Sequence, residues 1–168
     1  MASNNEPWFL EERAFAFVSL VLTKRSGVRV RAYAGRDMAI DLLIEILKEA
    51  KRVPRFFGAQ LIAYLDLPKI ENADERVLAH LGKDPFEATL PICAFLIGVR
   101  KPEALYRWVV QPVIEGGRAL LSADAKPNWQ ALDEVEAGRL IDRVNDWYDA
   151  LRAELTTKGS DRKAKADS

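Results

Sequence analysis

Two apolar runs, a short charged stretch apart, constrain this chain more than any other feature. Ile40-Asp-Leu-Leu-Ile-Glu-Ile-Leu47 is nearly all apolar, which marks a central strand buried on both faces. The charged stretch Lys48 to Arg55 follows, with Pro54 near its end. Phe56-Phe-Gly-Ala-Gln-Leu-Ile-Ala-Tyr-Leu65 then reads as the next strand, paired with the first as a hairpin. A chain with such a hairpin needs further elements to cover both sides of a sheet.

The flanking sequence supplies them. Asn5-Glu-Pro-Trp opens a helix, with Asn5 as cap and Pro7 in the first turn. The helix runs from Trp8 to Lys24, shows an apolar stripe of Phe15, Val18 and Leu22, and stops at Ser26-Gly27. Val28-Arg-Val-Arg-Ala-Tyr33 alternates strictly, as a half-buried strand does. Asn72-Ala-Asp-Glu75 starts a short helix that Gly82 ends. Leu90 to Val99 is an apolar strand, Arg100-Lys-Pro-Glu turns the chain, and Leu105 to Val110 returns before Pro112 and Gly116-Gly117 break it. Trp129 to Leu155 is a long amphipathic helix carrying Leu132, Val135, Leu140, Val144, Trp147, Tyr148 and Leu151. The expected fold is α/β: a mixed central sheet flanked by helices, in one domain over residues 1–157. Residues 158–168 are polar and form an expected disordered tail.

Composition narrows the function classes. Lys+Arg and Asp+Glu both number 25 in 168 residues, so this is no generally basic nucleic-acid coat protein. Basic residues do cluster, at Lys24, Arg25, Arg29, Arg31 and Arg36, and again at Lys48, Lys51, Arg52 and Arg55. The simplest expectation for both runs is solvated charge. With one cysteine, Cys93, in an apolar run, and one histidine, His80, neither an internal disulfide nor a usual zinc set can form. The apolar stretch near the N-terminus is broken by Glu11, Glu12 and Arg13, and no run is long enough to span a membrane, so a cytoplasmic protein is expected.

Strand alternation puts Asp41, Leu43 and Glu45 on one face and Gln60, Ile62 and Tyr64 on one face of the next strand. If the hairpin joins those faces, Asp41, Glu45 and Gln60 approach one another. Two carboxylates and an amide oxygen suit a hard cation such as Mg²⁺. Such an ion can polarise a phosphate and activate water.

These residues also carry a resemblance. The pattern Asp37-Met-Ala-Ile-Asp41, then Gln60-Leu-Ile62, resembles a family of bacterial nuclease-like domains of unknown function in the PD-(D/E)XK superfamily. Members typically read Glu in the first helix, then Asp-x-Gly-Ile-Asp, then Gln-x-Lys. Leu90-Pro-Ile-Cys-Ala-Phe-Leu-Ile-Gly-Val-Arg100, Tyr106-Arg-Trp-Val109 and the tryptophan-bearing last helix extend the similarity over about Glu11 to Leu151. The resemblance implies a restriction-endonuclease-like core, Mg²⁺ or Mn²⁺ as cofactor, and DNA cleavage in bacterial DNA processing or defence. It implies Asp41, Gln60 and Glu12 (or Glu11) as catalytic residues and Asp41 with Asp37 around the metal, to which the strand alternation above adds Glu45.

Two positions depart from the pattern. Ala39 stands for Gly, a mild change. Ile62 stands where the catalytic Lys is expected, and an aliphatic chain can neither move a proton nor offset phosphate charge. The expected function is therefore a degenerate, catalytically weak or inactive nuclease-like protein that binds nucleic acid or a protein partner. One alternative is an active Mg²⁺-dependent DNA endonuclease with a relocated basic residue, drawn from Lys48, Lys51, Arg52, Arg55 or Lys69. The other is an interaction module using aromatics such as Trp108, Trp129 and Trp147, although these are more simply core residues.

Overall fold

A computed structural model describes residues 9–33, 40–48, 51–69, 88–123 and 128–166. In order, the elements are α1 (Phe9–Thr23), β1 (Val28–Ala32), β2 (Leu42–Lys48), β3 (Lys51–Tyr64), β4 (Ile92–Gly98), β5 (Glu103–Glu115), β6 (Arg118–Ala123), β7 (Gln130–Ala131) and α2 (Glu134–Ala166). The helix expected over Asn72 to Gly82, with His80, lies outside the described residues, as do Asp37 and Ala39.

The strands form one mixed sheet in the order β1-β2-β3-β4-β5-β6, with β7 paired to part of β5. Every pairing is antiparallel except β3 with β4. Two antiparallel meanders are thus joined along a single parallel seam. All seven residues of β4 are buried, which explains its unbroken apolar sequence.

Alternation sorts the sheet's side chains into two cores. On one face Phe57, Ala59, Cys93, Phe95 and Ile97 pack against both helices. α1 contributes Leu10, Ala14, Val18 and Leu22, one residue per turn, so the buried stripe begins a turn earlier than Phe15, which is only partly buried. α2 contributes Ala137, Leu140, Ile141 and Val144. On the other face Ile40, Ile62, Ile92, Ala94 and Leu96 form the second core.

Several boundaries differ from the sequence expectation. The strand expected from Phe56 starts at Lys51, so the basic stretch before it belongs to the sheet. β5 runs on through Pro112 to Glu115 instead of stopping at Val110. β4 ends opposite Val110, so beyond it β5 has an open edge where a residue lacking an N–H is tolerated. Residues Trp129 to Asp133 are not helical; β7 pairs there, and Asp133 caps α2 by accepting the Glu136 N–H at 2.8 Å. Val135 consequently points outward and is 62% exposed. At its other end α2 continues past Lys158 to Ala166, where the composition suggested a disordered tail.

The turn between α1 and β1 depends on Gly27, whose φ is +80°. A Cβ there would lie 2.5 Å from the Leu47 carbonyl oxygen, because Gly27 packs directly against β2 and accepts the Leu47 N–H at 2.7 Å.

Candidate functional site

Just before β2, the side chain of Ile40 packs over Gly58 of β3, whose partner in the ladder is Leu43. A Cβ at Gly58 would meet Ile40 at 2.8 Å, so only glycine admits this packing. The register sets Asp41 one step beyond the pair Leu42–Ala59, beside Gln60. Asp41 is exposed, yet its backbone and carboxylate both bind β3. Its N–H donates to Ala59 O at 2.9 Å, and its Oδ2 accepts the Leu61 N–H at 2.7 Å. The carboxylate therefore replaces a backbone partner at the end of the β2–β3 ladder and keeps its other oxygen for a ligand.

Gln60 is 3% exposed, and its Oε1 has no hydrogen-bond partner. A buried acceptor left without a donor costs about 1–3 kcal/mol, so such an atom calls for an explanation. Ile62 is 6% exposed and packs in the second core with Leu96 and Ile40. The position at which the resemblance expects Lys is an apolar one.

The other sequence candidates sit elsewhere. Glu45 is held by Arg31 across β1–β2 at 3.1 Å. Four residues along a strand separate it from Asp41 by about 13 Å, too far for the two to clasp one ion directly. Glu11 and Glu12 are exposed on α1, whose buried stripe joins the core of the opposite face, and no hydrogen bond links Glu12 to Asp41 or Gln60. Among the described residues no three His, Cys, Asp or Glu side chains gather as a metal-holding group. Asp41 and Gln60 still offer two adjacent hard oxygen donors, which fits a Mg²⁺ that keeps most of its waters.

Of the basic runs, Arg36 and the side chains of Lys48, Lys51 and Arg52 lie outside the described residues; Lys24, Arg25, Arg29 and Arg31 are exposed, and several of them also make ion pairs. Lys24 reaches Glu134 at 2.8 Å, and Arg25 pairs with Asp142 while donating to Gly138 O at 3.1 Å, so both tie the end of α1 to α2. Arg55 is 4% exposed and binds Asn145 and Asp149 of α2. It shares the face of Phe57 and Ala59, away from Ile62, and cannot replace a Lys there. Lys69 is exposed.

One basic residue that sequence reasoning missed does share the face of Gln60. Gln60 pairs with Ala94 across β3–β4, and Ala94 pairs with Arg107 across β4–β5. Arg107 is 4% exposed, and its guanidinium carbon lies 5.6 Å from the centre of the half-buried Trp129 ring. Its period-two spacing from Leu105 was the available signal, hidden by the aromatic run around it. Trp108 and Trp147, by contrast, are buried in the first core or against it.

Cys93 is fully buried, and burial pushes its thiol well above the usual range, so it is no nucleophile. Among the described residues, no helix is long and apolar enough to cross a membrane. Comparisons of the chain with models of known families, with characterised proteins and with solved structures return no match.

Proposed function

We propose that the chain has a PD-(D/E)XK, restriction-endonuclease-like fold with a catalytically weak or silent centre, and that it binds nucleic acid through the sheet face bearing Gln60. The element order supports the fold: a helix, three antiparallel strands, and a fourth strand parallel to the third. The sequence pattern around Asp41 and Gln60 supports the ancestry.

The observation that carries the reading is Ile62, buried among aliphatic side chains at the position of the expected Lys. In this reading Asp41 and Gln60 would hold Mg²⁺ or Mn²⁺, which when bound polarises a phosphate. Ile62 supplies neither charge for the developing transition state nor a proton relay, so a bound phosphodiester is held without efficient turnover.

The test is incubation of the purified protein with plasmid and single-stranded DNA in Mg²⁺ or Mn²⁺, beside Asp41→Ala. No cleavage above the Asp41→Ala background is expected. Efficient cleavage that disappears in Asp41→Ala would replace this reading with an active nuclease using a relocated basic residue.

A further inference from the structure

β1 is an edge of the sheet, paired with β2 alone. Alternation turns Val28 and Val30 toward the helix-covered core and Arg29, Arg31 and Tyr33 toward the opposite face. That is the face of Asp41 and Gln60. Arg29 stands opposite Glu45 and Arg31 opposite Leu43, and the Tyr33 N–H donates to the Asp41 carbonyl at 2.8 Å. Arg29, Arg31 and Tyr33 thus form a column one strand spacing, about 4.8 Å, outside the column of Glu45, Leu43 and Asp41.

The two guanidiniums of this column are open to solvent. Both arginines are exposed, and 61% of the Arg31 side chain is accessible. The Arg29 side chain makes no ion pair among the described residues. Arg31 donates from Nη2 to Glu45 at 3.1 Å and keeps the rest of its fork for another acceptor. A surface pair of this kind is weak and yields to a stronger anion. Successive side chains on one face of a strand are about 6.8 Å apart, close to the step between phosphates along a nucleic-acid strand. A guanidinium is also the fork that matches phosphate oxygens. Charge on an edge strand has a second use, keeping it from pairing with other sheets. That use asks only for charge; it does not ask for two guanidiniums on the face of Asp41, in register with it.

We propose that Arg29 and Arg31 are the rail on which a nucleic-acid backbone lies against this face. Each holds one phosphate, and the bound strand runs along β1 toward Asp41. The inference rests on the nucleic-acid-binding reading above and adds to it the contact residues and the edge of approach. Both guanidiniums are reached from solvent, with no buried side chain to displace.

The experiment is fluorescence anisotropy with a short labelled DNA strand and its duplex in Ca²⁺ over a range of salt. Wild type is compared with Arg29→Gln, Arg31→Gln, the double variant and Arg29→Lys, after thermal melts establish that each is folded. Arg118→Gln is the control, because it removes the same charge from an exposed side chain on β6, at the other edge of the sheet. Each single Gln variant is expected to lower the log–log salt slope by about 0.7 for the single strand or about 0.9 for the duplex, the loss of one phosphate contact, and the double variant by about twice that. Affinity should fall at low salt and approach that of wild type as salt rises. Arg29→Lys should keep the slope, because the charge remains. Arg118→Gln should behave as wild type.

Folded Arg29→Gln and Arg31→Gln with the wild-type slope overturn the rail while leaving nucleic-acid binding in place. An equal fall in Arg118→Gln also overturns it, since the response would then be to net charge alone. If Arg31→Gln does not fold, Arg29→Gln, which breaks no ion pair, decides the matter by the same criterion. A wild-type protein that binds neither DNA probe overturns the binding reading and the rail together.

Discussion

Arg55 of β3 and Asp149 of α2 form a bidentate ion pair through the core, with Nη2 to Oδ1 at 2.5 Å and Nη1 to Oδ2 at 3.4 Å. The Arg55 side chain is 5% exposed and Asp149 34%. Asn145 completes the shell through its carbonyl at 2.6 Å and its Oδ1 at 3.0 Å. The adjacent Tyr148 hydroxyl clasps the next residue, donating to Phe56 O at 2.9 Å and accepting its N–H at 3.2 Å. One turn of α2 is therefore bolted to the early part of β3 by polar contacts inside an otherwise apolar layer.

Removing Asp149 leaves a guanidinium that cannot neutralise itself in a dry site. Asp149→Ala should cost about 3 kcal/mol, the low end for a broken buried pair, because Asp149 keeps part of its surface in water and Asn145 still accepts. The urea unfolding midpoint reads this directly. A loss below about 1 kcal/mol, the ceiling for an exposed surface pair, would mean that water reaches Arg55.

Restoring the expected basic residue is a second test. In Ile62→Lys the ammonium enters a layer lined by Leu96 and Ile40. Desolvation should lower its pKa below the unfolded value. The folded state then binds fewer protons than the unfolded one, so the stability of this variant should rise with pH up to the ordinary lysine range. If loss of the Lys is what silenced the site, the folded variant should nick plasmid DNA in Mg²⁺ where wild type does not. A folded Ile62→Lys with no activity would mean that more than one residue separates this face from a working centre.

What the sequence revealed and what it hid follow from how much of the signal is local. The alternation of Val28 to Ala32 and the apolar run through β2 are direct imprints of a strand with one or two buried faces, and both strands stand where expected. The continuation of β5 past Pro112 was not readable, because whether a proline interrupts a strand depends on whether its edge is paired, and the end of β4 decides that. β6, Arg-Ala-Leu-Leu-Ser-Ala, has no β-branched residue and little alternation; its strand form comes from pairing with β5. The burial of Arg55 was half visible, since it keeps the period of Phe57 and Ala59, but a charge in that register reads as buried only once its partners ninety residues away are known. Arg107 was hidden in the same way. Alternation set Asp41 and Gln60 on one face, and Asp41 is held at the end of the β2–β3 ladder by the Leu61 N–H, whereas Glu45 is paired with Arg31.

Alkaline pH offers a test of packing around α2. The Tyr106 hydroxyl lies 2.9 Å from Gln130 Oε1 and 3.1 Å from Glu136 Oε2. Burial, then its hydrogen bond to Glu136, raises the Tyr106 pKa well above the ordinary tyrosine value. Burial likewise raises Tyr148, while its contact with Phe56 acts the other way. For both groups the folded state holds its proton more tightly than the unfolded chain. Their contribution is fully present below about pH 10, the unfolded tyrosine pKa, and is lost as pH rises through the folded values. The urea midpoint should therefore fall progressively above about pH 10. Tyr106→Phe should flatten that fall more than Tyr148→Phe, because in Tyr106 burial and the neighbouring carboxylate act in the same direction. An equal fall in wild type and Tyr106→Phe would mean that the Tyr106 hydroxyl is open to water and that the contact between β5 and the first turn of α2 is looser than the structure has it.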